Sequence, residues 1–139
     1  QAKTSGASAI LLICSVLDDQ ELKAWNQLAG ELGMSALVEA HSAEEIERAK
    51  KAGARIVGVN NRDLKDFTVD IGHSIELRRL VGPDTVFVSE SGIRGPEDMR
   101  ALYENGTDAV LIGEMLMRAT DRQEALLSLK KAVAEEERL

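Results

Sequence analysis

Five short apolar runs recur along the chain, each at the same distance after a glycine. AILLIC (residues 9–14) follows Gly6, ALVEA (36–40) follows Gly33, RIVGVN (55–60) follows Gly53, TVFVSE (85–90) follows Gly82 and AVLIG (109–113) follows Gly106. Four positions beyond each glycine stands an aliphatic residue: Ile10, Leu37, Val57, Val86 and Val110. Runs this short, apolar on both faces and rich in β-branched side chains, read as buried parallel strands. The glycines read as left-handed residues just past helix ends.

Between the runs the apolar spacing changes to three and four, the period of a helix buried on one face. Leu22, Trp25, Leu28, Ala29 and Leu32 predict one such helix, with these residues in the core. Ser42 with Glu45 predicts a capping box ahead of Ile46 and Ala49. Ile75, Leu77 and Leu80 predict a shorter helix, and Pro96 suits a first helical position with Met99 and Leu102 facing inward. Thr120 with Gln123 is expected to cap a last helix with the stripe Leu126, Leu129 and Val133, whose polar end, AEEERL, is expected to fray.

Strand–helix alternation predicts a parallel sheet with right-handed crossovers, either an open doubly wound sheet or a (β/α)8 barrel. The glycine intervals of 27, 20, 29 and 24 residues average 25. Eight such units make roughly 200 residues, close to the size of a TIM barrel, which favours the barrel. About five βα units are present, so the chain reads as a partial barrel. Three further strands are expected before Gln1, and residues 1–139 are expected to form the C-terminal part of a single barrel domain.

Composition narrows the classes. Hydrophobic residues make up 44% but aromatics only 3%, so the core must be aliphatic. A net charge of -7 argues against a nucleic-acid partner. No apolar run reaches the ~18 residues of a membrane span, and no secretion-signal pattern is present. Cys14 is the lone cysteine, which excludes an internal disulfide and suits a reducing compartment. It reads as a small core residue, and a cytoplasmic location is expected. No Cys or His spacing resembles a zinc site, so no metal is expected.

Polar residues gather at the ends of the apolar runs: Glu39, then Asn60 and Arg62, then Glu90, Ser91 and Gly92, then Gly113. Both architectures place their chemistry at the carboxyl ends of the strands, although caps and turns also draw polar residues there. Glu39 stands out, because a lone carboxylate inside a buried run is costly. VSESGIRGPED (88–98) reads either as an ordinary loop or as a site for a phosphorylated substrate.

ILLICSVLDDQEL (10–22), GMSALVEAHSAEEIERAKKAGARIVGVNNRDLKDFTVD (33–70), VSESGIRGPEDMRAL (88–102) and GTDAVLIGEMLMRA (106–119) resemble the later half of indole-3-glycerol phosphate synthase, an enzyme of tryptophan biosynthesis. The resemblance implies a (β/α)8 barrel, with these segments as strands four to eight. It implies a carboxy-lyase that takes 1-(2-carboxyphenylamino)-1-deoxyribulose 5-phosphate, closes the pyrrole ring, and loses carbon dioxide and water, with no cofactor. It assigns catalytic roles to Glu39 (proton transfer), Asn60 and Ser91, substrate contacts to Arg62 and Glu90, and a phosphate cradle to Gly92, Gly113 and the backbone of Glu114. The Glu114 side chain is expected to point away. His41 and His73 read as surface or capping residues.

The resemblance also places the family's catalytic Lys on strand three, upstream of Gln1, and Lys3 lies in a helix remnant where it cannot substitute. The chain alone is therefore expected to be inactive. It is expected to need the missing N-terminal segment or a second copy to cover inner-face residues such as Ile10, Leu12 and Val86. The alternative is a non-catalytic half-barrel module that binds phosphate and self-associates. Other phosphate-binding barrels, such as phosphoribosylanthranilate isomerase and the tryptophan synthase α subunit, lack the VEAH and VNNRDLKDF context.

Overall fold

The computed structural model describes residues 1–63 and 67–134. A 3-10 turn at Lys3–Ser5 leads into β1 (Ala9–Ile13), α1 (Asp19–Glu31), β2 (Ser35–Ala40), α2 (Ala43–Lys51) and β3 (Ile56–Asn60). These are followed by α3 (Gly72–Leu77), which tightens into a second 3-10 turn at Arg78–Leu80, and then β4 (Val86–Glu90), α4 (Pro96–Glu104), β5 (Ala109–Leu111), α5 (Glu114–Arg118) and α6 (Arg122–Ala134). The strands form one sheet in the order β1-β2-β3-β4-β5, with every neighbouring pair parallel. This is the partial barrel that the alternating pattern predicts. The short helix α5 was not foreseen. No described helix is long and apolar enough to cross a membrane.

Strand alternation sorts the side chains onto two faces. Leu12, Val38, Val57, Val59 and Phe87 face the helices and form the main core with Leu22, Ile46 and Ala49. Cys14 is buried there. Its thiol is pushed up to about 11, first by burial and then by the Glu45 charge. A smaller cluster joins Ile93, Leu102 and Leu129 beneath the β4 and β5 ends. The other, concave face carries Leu11, Val86 and Leu111, which are 49%, 44% and 52% exposed. The expected inner-face residues Ile10 and Leu12 are therefore on the helix side. Strand register makes the reason plain: Leu11 pairs with Leu37 and Ile13 with Glu39, so the odd positions of β1 look inward.

Four of the five spacer glycines end a helical turn with positive φ: Gly6 at 84°, Gly33 at 66°, Gly53 at 77° and Gly106 at 80°. Gly82 does not, because the 3-10 turn leaves through an extended Val81 instead. Trp25, Leu28 and Leu32 are exposed, contrary to expectation. α1 buries Leu22 and Ala29, and Asn26 reaches Ala52 at the end of α2. Trp25, Leu28 and Leu32 wrap around the opposite flank, away from α2. Leu126 is likewise exposed, because α6 turns Leu129 and Ala132 inward. Asp121, and not Thr120, accepts the first-turn N–H of α6, from Glu124. Of the expected fraying end, residues 135–139 lie outside the described residues.

Two polar brackets lock the strand ends. Arg48 of α2 donates to the carbonyls of Cys14 and Leu17 and pairs with Asp19, fixing the β1–α1 loop. Asn61, directly after β3, is 4% exposed. Its side chain donates to Ser89 Oγ (2.9 Å) and the Ser91 carbonyl (3.0 Å), and accepts from the Ser74 N–H (3.0 Å). Ser89 Oγ in turn donates to Ser74 Oγ at 2.9 Å. The β3 and β4 ends and the start of α3 are thus tied to one buried amide.

Asn61→Ala would strand the Ser74 N–H and the Ser91 carbonyl without partners. It is expected to destabilise the fold by about 2–4 kcal/mol, the cost of several unpaired buried polar groups, read as a lower urea midpoint. A loss below about 0.5 kcal/mol, the ordinary surface value, would contradict this role.

Candidate functional site

Glu39 and Glu90 are both buried, 5% and 4% exposed, on the concave face at the carboxyl ends of β2 and β4. Between them runs β3, and the β3 residue in register with Glu39 is Gly58. A Cβ at Gly58 would lie 1.8 Å from Glu90 Oε1 and 3.1 Å from Leu37 Cδ1. The Glu90 carboxyl therefore occupies the volume that any side chain at position 58 would need. The bare backbone of Gly58 lets two acids from strands on either side meet. Its signal in the sequence was an isolated glycine inside a strand, which marks a close approach.

Two carboxyl groups in one dry place cannot both ionise. Ionised, Glu90 Oε1 would be buried with no hydrogen-bond partner. Protonated, Glu90 donates to Glu39. Burial, then the Glu39 charge, then this hydrogen bond raise Glu90 from 4.5 to about 8. Glu39 has one further partner: His41 Nε2 lies 2.9 Å from Glu39 Oε1. His41 is thus part of the site, contrary to its reading as a surface or capping residue. It stands two residues after Glu39, in the bend just past the end of β2, and its ring reaches back to the Glu39 carboxylate.

The other residues assigned from sequence fall around this pair. Asn60 Oδ1 accepts the Arg62 backbone N–H at 3.0 Å, shaping the turn out of β3. Ser91 and Gly92 follow Glu90 with φ of 66° and 80°, two left-handed residues in succession. At Gly92 a Cβ would also come within 2.6 Å of Val69 Cγ1, so glycine is required twice over. Gly92 and Gly113 meet in one cavity of about 670 Å³, together with Arg62, Arg94, Glu114 and Arg118.

The Glu114 side chain does not point away. Its carboxylate takes Arg62 Nη2 at 2.7 Å and Arg118 Nη2 at 3.0 Å. The Arg62 hydrogen bond, then the Arg118 and Arg62 charges, hold it below the usual carboxylate range. Two guanidinium groups facing one cavity attract the nearest anion, and in this state that anion is Glu114. A second cavity of about 610 Å³ opens on the other side of Arg62, with His41, Asn60, Asn61 and His73 in its wall. Among the described residues, no group of three or more His, Cys, Asp or Glu is placed to hold a metal ion.

Comparison with known proteins identifies the family and the fold. Residues 1–129 match the family described as indole-3-glycerol phosphate synthase. The enzyme of that name from Leuconostoc mesenteroides is 51% identical over 130 residues, covering 94% of this chain and 50% of the relative. The one from Endomicrobium trichonymphae is 53% identical over the same length and shares. The chain spans about half the length of these relatives. Among solved structures, 3-hexulose-6-phosphate synthase from Salmonella typhimurium superposes with a TM-score of 0.81 at 16% identity, over 96% of this chain and 64% of that one. At that identity the likeness concerns the fold alone.

A carboxyl whose proton is held more tightly in the native state than in the unfolded chain stabilises the fold most at low pH. For Glu90 that contribution is complete below pH 4.5 and is lost as pH rises through about 8. Glu90→Gln, always neutral, removes the loss. Its urea midpoint is expected to match wild type most closely near pH 4.5 and to exceed it increasingly toward pH 8. A gap that shrinks over this interval would contradict the buried acid pair.

Proposed function

The chain belongs to the indole-3-glycerol phosphate synthase family, and from that membership we propose that it carries one wall of the synthase active site. The substrate is 1-(2-carboxyphenylamino)-1-deoxyribulose 5-phosphate. The observation that carries the reading is the buried Glu39–Glu90 pair beside a cavity lined by three arginines. Together they offer a proton donor, a proton acceptor and an anion pocket within one strand-end cluster.

Each residue then has a task set by its chemistry. Glu90 holds a proton at neutral pH and can give it up, while Glu39 beside it can take one. General acid–base groups of this kind contribute roughly 10²–10⁴-fold to rate when their affinity for a proton lies near the working pH. The substrate phosphate is assigned to the cavity between Gly92 and Gly113, where bare glycines allow close approach and Arg94 and Arg118 supply charge. Arg62, once it leaves Glu114, can grip the substrate carboxylate by two parallel hydrogen bonds. Ser91 borders this cavity and Asn60 the neighbouring one, and the two orient the ring being closed.

The chain is proposed to work as part of a larger assembly. It spans half the length of its relatives. Leu11, Val86 and Leu111 leave the concave face partly apolar and open, β1 and β5 are both sheet edges, and unpaired edges template association. The occupant of that face is a complementary barrel segment carrying the family's strand-three Lys. A self-paired, phosphate-binding half-barrel without turnover is the second reading, and the same exposed face favours it.

In the assembled barrel, Glu39→Gln is expected to lower kcat by roughly 100-fold or more with folding intact, as for loss of a positioned acid–base group. Near-normal turnover would leave Glu39 a structural residue. The isolated chain is expected to sediment as a dimer or larger species and to turn over no substrate, and added N-terminal barrel segment is expected to restore activity. A folded, active monomer would overturn the assembly reading.

A further inference from the structure

We infer that His41 is a positioning residue that decides which of the two buried carboxyls carries the pair's proton: by donating Nε2–H to Glu39 Oε1 it leaves that proton on Glu90. The inference rests on the proposed acid–base role of the pair and adds the group that makes its two members unequal. Two acids sharing one dry floor are chemically alike, so something outside the pair must break the symmetry. Glu90 Oε1 has no partner of its own, whereas Glu39 Oε1 has His41 at 2.9 Å. An N–H aimed at one carboxylate favours the charge there.

The ring is well anchored for this task. His41 side-chain exposure is 20%, and that of Glu39 is 7%. The His41 backbone N–H donates to Glu45 Oε2 at 2.7 Å, and the His41 carbonyl accepts from His73 Nε2 at 2.9 Å. Glu45 thereby departs from the expected capping box. Ser42 Oγ accepts the Glu45 N–H, but Glu45 reaches back one residue further, to His41. Helices α2 and α3 each spend a side chain on fixing the backbone that presents this imidazole. Its free edge faces the 610 Å³ cavity, on the side of Arg62 away from the arginine-lined one.

Other charged groups around the pair have separate engagements. Glu45 and His73 hold the His41 backbone, Arg62 holds Glu114, and Asp70 takes the Gly72 N–H. Asp63 and Glu76 line the outer cavity wall, and Cys14 of β1 lies on the helix side. His41 reaches the pair from outside it by a hydrogen bond to Glu39.

The test uses ¹³C-carboxyl NMR of the glutamates in the assembled barrel, with turnover measured on the same samples. In wild type the Glu90 carbon is expected to titrate near pH 8. His41→Phe keeps a ring and loses the donor. It is expected to leave that step in place or raise it, since Glu39 is charged on both sides of it, and to shift the proton's distribution toward Glu39 about tenfold, the scale of one lost hydrogen bond to a charge, so that part of the titration is read at the Glu39 carbon. The same variant is expected to lower kcat about tenfold or more with KM unchanged, by the same free energy. His41→Asn, too short to reach Glu39, should behave alike if the phenylalanine variant folds poorly. His41→Gln, which restores an N–H at similar reach, should recover both. Wild-type carboxyl titrations in folded His41→Phe and His41→Asn would overturn the inference. Shifted titrations with unchanged turnover would uphold the proton placement and instead sink the acid–base role of the pair.

Discussion

A shared proton between two buried carboxyls constrains everything at the mouth of this sheet. One acid must stay neutral, water must be kept off, and the backbone beneath must be bare. Glu39 and Gly58 lie side by side in register, and Glu90 extends from the far strand over the glycine. A sheet normally spaces alternate residues of next-but-one strands well apart. Here the missing side chain closes that gap. The Asn61 bracket holds β3 and β4 to this alignment from the opposite face, through Ser89 and Ser74. The polar network and the acid pair are thus two faces of the same strand ends, one rigid and satisfied, the other poised.

Charge at the mouth is divided by Arg62, which lines both cavities. On one side glycines and arginines line the cavity, and on the other the two histidines and Asn60 do. An internal carboxylate, Glu114, pairs with Arg62. The pairing is partly solvent-exposed, so its net contribution to stability is small.

The strands were legible because β-branched runs and spaced glycines are local signals. Glu39 stood out because a carboxylate in a buried apolar run is costly, and it is indeed buried. Other features depended on neighbours that a linear reading does not supply. Gly58 sits among apolar residues and reads as filler until Glu90 is found above it. Asn60 and Asn61 are identical in type, and only strand parity sends one to the concave face and the other into the Ser74–Ser89 network. His41 was set aside because it lies past the end of the apolar run, and only the bend after β2 brings its ring back to Glu39. Trp25 shows the limit of helical periodicity: the stripe tells which residues lie together, and the available neighbours decide how much of the stripe is covered. The inner-face assignment of Ile10 and Leu12 erred by one residue, and in a strand that reverses the face.

The strand order has a consequence for how such a chain is made. Each strand pairs with the one immediately before it, across separations of 26 residues for Ala9 and Ser35, 19 for Val38 and Val57, 30 for Ile56 and Val86, and 21 for Val88 and Ala109. Closing loops of this length costs little more for one unit than for the next. A ribosome delivers the strands in the same order in which they lie in the sheet, so the strand that each of β2 to β5 pairs with has been made before it. Growth by accretion of this kind keeps non-local pairing to a minimum, and the apolar concave face is the part left to be closed last.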